Sequence, residues 1–328
     1  MKTFRSGWIF FGVALLAALL STSCATHCRP EKLEAPSPRQ FTRMAIPIAG
    51  TKEAYPVWHT SSAGKPLMLL HALNGISPSV LHYALELETH GYRVYIPSLY
   101  GDPIQGEDAF GYDMALAATK FLKSDPRWDL SSPTDIGPIL DDCRDMARWI
   151  ARHEGSRDLI VMGNCLTGSF PIALLDVPEV KTAVLAQPAT PIMKFHQVIL
   201  RLPQSPQKAR SLALPASDLE RAFDALRDNP DKHIIGFHYR HDPLAPISKF
   251  DALHGMLAAH QLEGRFHAFV LAPEHSHYGS RRTKWVTEAT TDQPRKMLTP
   301  HSTLINPESF CDRIWFRERL LEALVSAR

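Results

Sequence analysis

Six short, largely apolar runs, separated by turns and helical stretches, constrain this chain more than anything else in it. They are PLMLLHA (66–72), YRVYIP (92–97), DLIVM (158–162), KTAVLAQP (181–188), HIIGFHYR (233–240) and RFHAFVLA (265–272). A strand that is apolar on both sides must be covered on both sides. Strands of this kind alternating with helices therefore predict an α/β fold, a mostly parallel central sheet with helices on both faces. The intervening segments agree. VLHYALELETHG (80–91) has helical periodicity and stops at Gly91, and helical stretches follow around 113–123 and 138–153. LTGSFPIALLD (166–176) and PESFCDRIWFRERLLEALVSA (307–327) read as further helices, and MAIPIAG (44–50) with YPVWHTS (55–61) as an opening hairpin. The stretch 188–232 breaks the rhythm and reads as a partly helical, lid-like insertion in a domain spanning 45–328.

The first 24 residues stand apart from that domain. Lys2 and Arg5 precede an apolar run from Trp8 to Leu20, which ends in Ser21-Thr22-Ser23-Cys24. A basic start, a short apolar middle and small residues before a cut describe an export signal. Small residues directly ahead of Cys24 resemble a bacterial lipoprotein site, although Ser21 stands where that signal usually has Leu. Lipidation of Cys24 would anchor the protein in the cell envelope on the periplasmic side; ordinary cleavage near Ala25 would release it. Residues 25–44, with the proline-rich RPEKLEAPSPRQ (29–40), read as a tether. Without Lys2 and Arg5 the charges balance at 34 basic against 34 acidic residues. A neutral chain with no basic run offers no footprint for nucleic acid.

Chemistry enters at DLIVMGNCLTGS (158–169). A strand runs into Gly163, and Gly168 allows a sharp turn into the next helix. Such a turn exposes the residue at its apex, here Cys165, and aims the N–H of Leu166 at a reacting carbonyl. A helix N-terminus behind the sulfur would favour thiolate. The bland alternative is a small buried hydrophobe at a tight turn. Partners decide between them. In this architecture the nucleophile is followed by an acid and then a histidine, each after a later strand. IIGFHYRHDPLAP (234–246) runs into Asp242, and FHAFVLAPEHSHYG (266–279) into His275 and His277. Asp before Pro is also a common turn residue. The loop after MLLHALNG (68–75) is placed to supply a second backbone donor.

Together these residues resemble the dienelactone hydrolase family of α/β hydrolases. Its nucleophile turn, Gly-Tyr-Cys-Leu-Gly-Gly, matches Gly163-Asn164-Cys165-Leu166-Thr167-Gly168 at four of six places. The block from Leu69 to Pro103 resembles the family's strand, oxyanion loop, helix and Pro-x-Leu-Tyr-Gly segment. The resemblance covers most of 45–280. It implies Cys165 as nucleophile, His275 as general base and acid, and Asp242 as the residue orienting His275. It implies backbone donors at Leu73 and Leu166. The implied reaction is hydrolysis of a small ester or lactone through a thioester, without metal or organic cofactor. The family's His-Ser-Phe favours His275-Ser276 over His277. Ala72 stands where the type enzyme has Glu, which puts dienelactone itself in doubt as substrate; neighbouring His71 is a partial substitute or a packed strand-end residue.

Three other readings compete. An envelope lipoprotein that kept the fold as a binding module would need none of the three side chains. A zinc site from His238, His241, His275 and His277 lacks a recognisable ligand spacing. A serine enzyme would need Ser in place of Cys165, and Ser169 lies too far into the next helix. Five cysteines, at 24, 28, 143, 165 and 311, show no metal-finger spacing, and an oxidising compartment would threaten a working thiol.

Overall fold

The structure is a computed structural model. It describes residues 40–50, 54–73, 75–100, 122, 124–129, 132, 134–189, 205–239, 242, 245–273, 286–291 and 310–326. The signal, most of the tether, Cys24, Cys28 and, apart from Leu122, the helical stretch expected around 113–123 lie outside these residues. Among the described residues no helix is long and apolar enough to cross a membrane.

The strands are β1 (Phe41–Pro47), β2 (Ala54–Thr60), β3 (Lys65–Leu70), β4 (Tyr92–Pro97), β5 (Leu159–Asn164), β6 (Val180–Ala186), β7 (His233–Tyr239), β8 (Phe266–Pro273) and β9 (Val286–Thr291). They form one sheet in the order β1-β2-β4-β3-β5-β6-β7-β8-β9. The opening hairpin is antiparallel from Phe41↔Thr60 to Pro47↔Ala54, and β2 meets β4 antiparallel. Every later pairing is parallel. The expected α/β class with a mostly parallel sheet is the fold the chain adopts.

Alternation along the strands sorts the core into two layers. Met68, Leu70, Val161, Ala183, Leu185 and Ile234 face α2 (Ile139–Glu154), α5 (Ala216–Asp228) and α6 (Ser248–Ala259). Leu67, Leu69, Ile160, Met162, Val184, Ile235 and Phe237 face α1 (Pro78–Thr89) and α7 (Phe310–Ser326). Local signals set the helix ends. Ser77 Oγ accepts the N–H of Val80 ahead of Pro78, and Gly91 leaves α1 at φ +85°. Asp141 and Asp142 open α2, and Arg152 and His153 close it, in the sense that complements the helix dipole.

Two expectations need correction. The helix expected over 166–176 is broken into a 3-10 turn (Cys165–Thr167), a four-residue α3 (Phe170–Ala173) and a second 3-10 turn (Leu174–Asp176). Gly168 closes the first turn with its N–H on the Cys165 carbonyl, and Pro171 lacks the N–H that a continuous helix would need. Strand β9, VTEATT, has no counterpart in the sequence reading. Of the 188–232 stretch, α4 (Pro206–Arg210) and α5 are described. α5 buries Ala222, Phe223 and Leu226 on the sheet, and its Asp218 lies 2.9 Å from the buried Arg144 of α2. Arg144 also meets Asp141, Asp176 and the carbonyl of Ala173, so its charge is fully compensated.

Candidate active site

Asn164 pairs with Ala186, and Ala186 with Phe237. The next residues along these strands, Cys165, Gln187 and His238, therefore stand level at the carboxyl edge of three adjacent strands. Loops at this edge are where parallel sheets place ligands.

Cys165 holds φ +56°, a left-handed conformation that a non-glycine residue rarely adopts. The turn around it allows no alternative. A Cβ on Gly163 would overlap the carbonyl oxygen of Thr167, and one on Gly168 would overlap Cα of Pro188. Thr167 Oγ1 accepts the N–H of Asn164 at 3.1 Å. It also lies 3.2, 3.1 and 3.2 Å from the carbonyl oxygens of Leu70, His71 and Asn164, to one of which it gives its single proton. The carbonyl of Cys165 accepts from Gly168 N–H (2.9 Å) and Ala189 N–H (2.8 Å). The thiol is in no disulfide, and the residue is buried at 5% exposure. The strain expected at the apex is thus present, but the exposure expected with it is not: Cys165 is buried. Nor is the helix behind it: one 3-10 turn and a break replace the long dipole that was expected to favour thiolate.

Leu166 is the second residue of that turn, where the first N–H groups have no intrahelical acceptor. On the facing loop, the Ala72 carbonyl accepts from Gly75 N–H (3.0 Å) and His71 Nδ1–H (2.8 Å), and Tyr100 Oη donates to the Leu73 carbonyl at 3.0 Å. The Ala72–Leu73 peptide is trans, so fixing the Ala72 carbonyl turns the N–H of Leu73 the opposite way. Burial raises the pKa of Tyr100 well above its ordinary value, with the neighbouring Cys165 adding to the shift, so this phenol remains a donor.

His71 is a structural residue. Its Nδ1 bonds Ala72 O, and its Nε2 accepts the N–H of Leu99 at 3.0 Å, so both nitrogens are used. Burial lowers its pKa to about 4. A neutral, fully engaged imidazole has no charge to lend a thiol in place of the missing Glu.

Asp242 is buried beyond the end of β7. Its Oδ1 accepts from Ala245 N–H at 3.1 Å, and its Oδ2 from Gln187 Nε2 at 2.9 Å. Lys249 of α6 lies within electrostatic range; burial lowers its pKa to about 7, against the opposing pull of Asp242. Its Nζ donates to the Ser211 carbonyl. His275 and His277 lie outside the described residues, as does His241. β8 ends at Pro273, with Leu271 paired to Tyr239, so the carboxyl ends of β7 and β8 are adjacent. His238 packs edge-on against Phe250. Among the described residues no three His, Cys, Asp or Glu groups converge on a metal position.

Ser169 Oγ donates to the Leu212 carbonyl at 2.6 Å and is buried. Cys143 is a buried, free thiol whose pKa burial pushes up. The side chain of Cys311 is outside the described residues.

Sequence reasoning missed Gln187, Lys249 and the bonding role of Thr167. Gln187 carried a signal, as the first polar residue after the apolar run Ala183–Ala186. Tyr100 stood in the quoted Pro-x-Leu-Tyr-Gly block without a role.

No protein-family model and no curated protein matches the chain. Solved structures are similar to it at low identity. A putative dienelactone hydrolase from Klebsiella pneumoniae is 17% identical, with 84% of this chain and 98% of that one covered and a TM-score of 0.47. An esterase from Pyrococcus furiosus is 14% identical, with 89% and 98% covered and a TM-score of 0.48. A dienelactone hydrolase-like promiscuous phosphotriesterase from metagenomic libraries is 11% identical, with 85% and 98% covered and a TM-score of 0.42. None of the three carries a residue's role over to this chain.

Proposed function

We propose that the protein hydrolyses a small ester or lactone with Cys165 as nucleophile, His275 as general base and acid, and Asp242 orienting His275. The observation that carries this reading is the left-handed backbone of Cys165 at the carboxyl edge of a parallel strand. A buried structural thiol has no need of that strain, whereas a nucleophile at a strand-to-turn apex does. In the first step His275 takes the thiol proton and sulfur attacks the carbonyl carbon. The C–S bond forms, negative charge collects on the carbonyl oxygen, and the N–H groups of Leu73 and Leu166 receive it. Collapse breaks the C–O bond, and His275 returns the proton to the leaving alkoxide. Water, deprotonated by the same imidazole, then cleaves the thioester and regenerates the thiol. The reading requires no metal or organic cofactor.

By the same reading the enzyme is exported and held in the cell envelope by a lipid on Cys24. Incorporation of labelled palmitate that disappears in Cys24→Ala supports the anchor; equal labelling of both proteins contradicts it.

The activity is tested with p-nitrophenyl acetate and a chromogenic lactone, using wild type beside Cys165→Ala. The expected result is turnover by wild type and a loss of at least about a thousandfold in the variant. Equal rates would leave the fold as a binding module.

A further inference from the structure

We infer that Gln187 is a positioning residue of the active site, holding the Asp242 carboxylate in the orientation that receives the histidine. This rests on the proposed role of Asp242. Gln187 is fully buried, and its side-chain amide donates to Asp242 Oδ2 at 2.9 Å. Its backbone holds φ +45°, a second left-handed non-glycine residue beside Cys165 at the same edge of the sheet. Three bonds fix the segment. The Gln187 N–H donates to Phe237 O at 2.9 Å on β7, which leads to Asp242. The Gln187 side chain reaches Asp242 itself. Two residues later, the Ala189 N–H donates to the carbonyl of Cys165.

The segment Gln187-Pro188-Ala189 is thus bonded to the nucleophile's peptide on one side and to the acid on the other. Ala245 N–H on Oδ1 and the Gln187 amide on Oδ2 hold the carboxylate from both oxygens and resist its rotation about the Cβ–Cγ bond. A neutral amide suits this task because it does not titrate and does not compete with the histidine for a proton.

The test compares kcat, KM and melting temperature for wild type, Cys165→Ala, Gln187→Met and Gln187→Asn on p-nitrophenyl acetate. Methionine keeps the length and bulk of Gln187 but lacks the donor; asparagine keeps the amide but cannot reach Asp242. The expected result is a loss in kcat of about ten- to a hundredfold in both, with KM within about threefold of wild type. Gln187→Met should also melt close to wild type. A merely space-filling residue would give the opposite pattern, with Met nearly neutral in kcat and Asn affected only in melting temperature. That outcome overturns the inference while Cys165→Ala remains inactive and the catalytic reading stands. Should Gln187→Met not fold, Gln187→Asn with wild-type kcat overturns it equally. Cys165→Ala as active as wild type, or no turnover by wild type, overturns both the catalytic reading and the role of Gln187.

Discussion

The N–H of Ala189 donates to the carbonyl oxygen of Cys165 at 2.8 Å, fastening the loop after β6 to the peptide of the proposed nucleophile. That contact requires the two loops to touch, and Gly168 lets them. A Cβ there would run into Pro188 Cα, a backbone atom that cannot swing aside. Gly168→Ala is expected to destabilise the fold by about 3 kcal/mol, and Gly163→Ala by a similar amount against the Thr167 carbonyl. Gly255 serves as a control of opposite sign. It lies exposed within α6 with nothing near its missing Cβ, so Gly255→Ala should stabilise by about 0.5–1 kcal/mol. Urea unfolding of the three variants checks both directions.

Thr167 joins the nucleophile turn to the end of β3, and its bonds are buried. Thr167→Val keeps the shape and removes the hydroxyl, leaving buried groups without a partner. The expected cost is about 1–3 kcal/mol, with Thr167→Ser close to wild type, measured by chemical denaturation.

His71 is held neutral by burial, with a pKa of about 4 against an ordinary 6.5. The unfolded chain therefore binds a proton in that interval and the folded one does not. Stability falls as pH drops through the window, by an amount on the order of 3 kcal/mol from this residue. His71→Gln should show a shallower loss between pH 7 and pH 4.5. Identical slopes in the two proteins would contradict the neutral assignment.

How much of this was legible in the sequence depends on the pattern each residue makes. The parallel strands were legible because a doubly covered strand keeps its central positions apolar on both faces, as in Leu67–Leu70 and Leu159–Met162. The apex at Cys165 was legible because Gly163 and Gly168 bracket it. β9 was not, since VTEATT lies at the sheet edge and mixes polar residues with few apolar ones. The long helix after Cys165 was overestimated because its apolar spacing hides the effect of Pro171. Gln187 and Lys249 were invisible for a different reason. Their roles come from residues 55 positions away, at Asp242, and 38 away, at Ser211, and no local spacing records such pairs.

Lys249 gives a pH effect of the same sense as His71, in a higher window. Its pKa of about 7 lies below the ordinary 10.5, so the unfolded chain binds the extra proton between those values. Stability contributed by this residue therefore rises with pH across that window. Unfolding at pH 7 and pH 9.5 should show a larger gain for wild type than for Lys249→Met. An equal gain in both would mean that the ammonium is not desolvated.

The central claim is that sulfur at position 165 becomes covalently acylated during turnover. Wild type mixed with p-nitrophenyl acetate, quenched in acid within the first turnovers and digested, should yield the Cys165 peptide heavier by one acetyl group. The mark should decay once substrate is exhausted and be absent in Cys165→Ala. Hydrolysis that proceeds with that peptide unmodified at every time point would contradict the account.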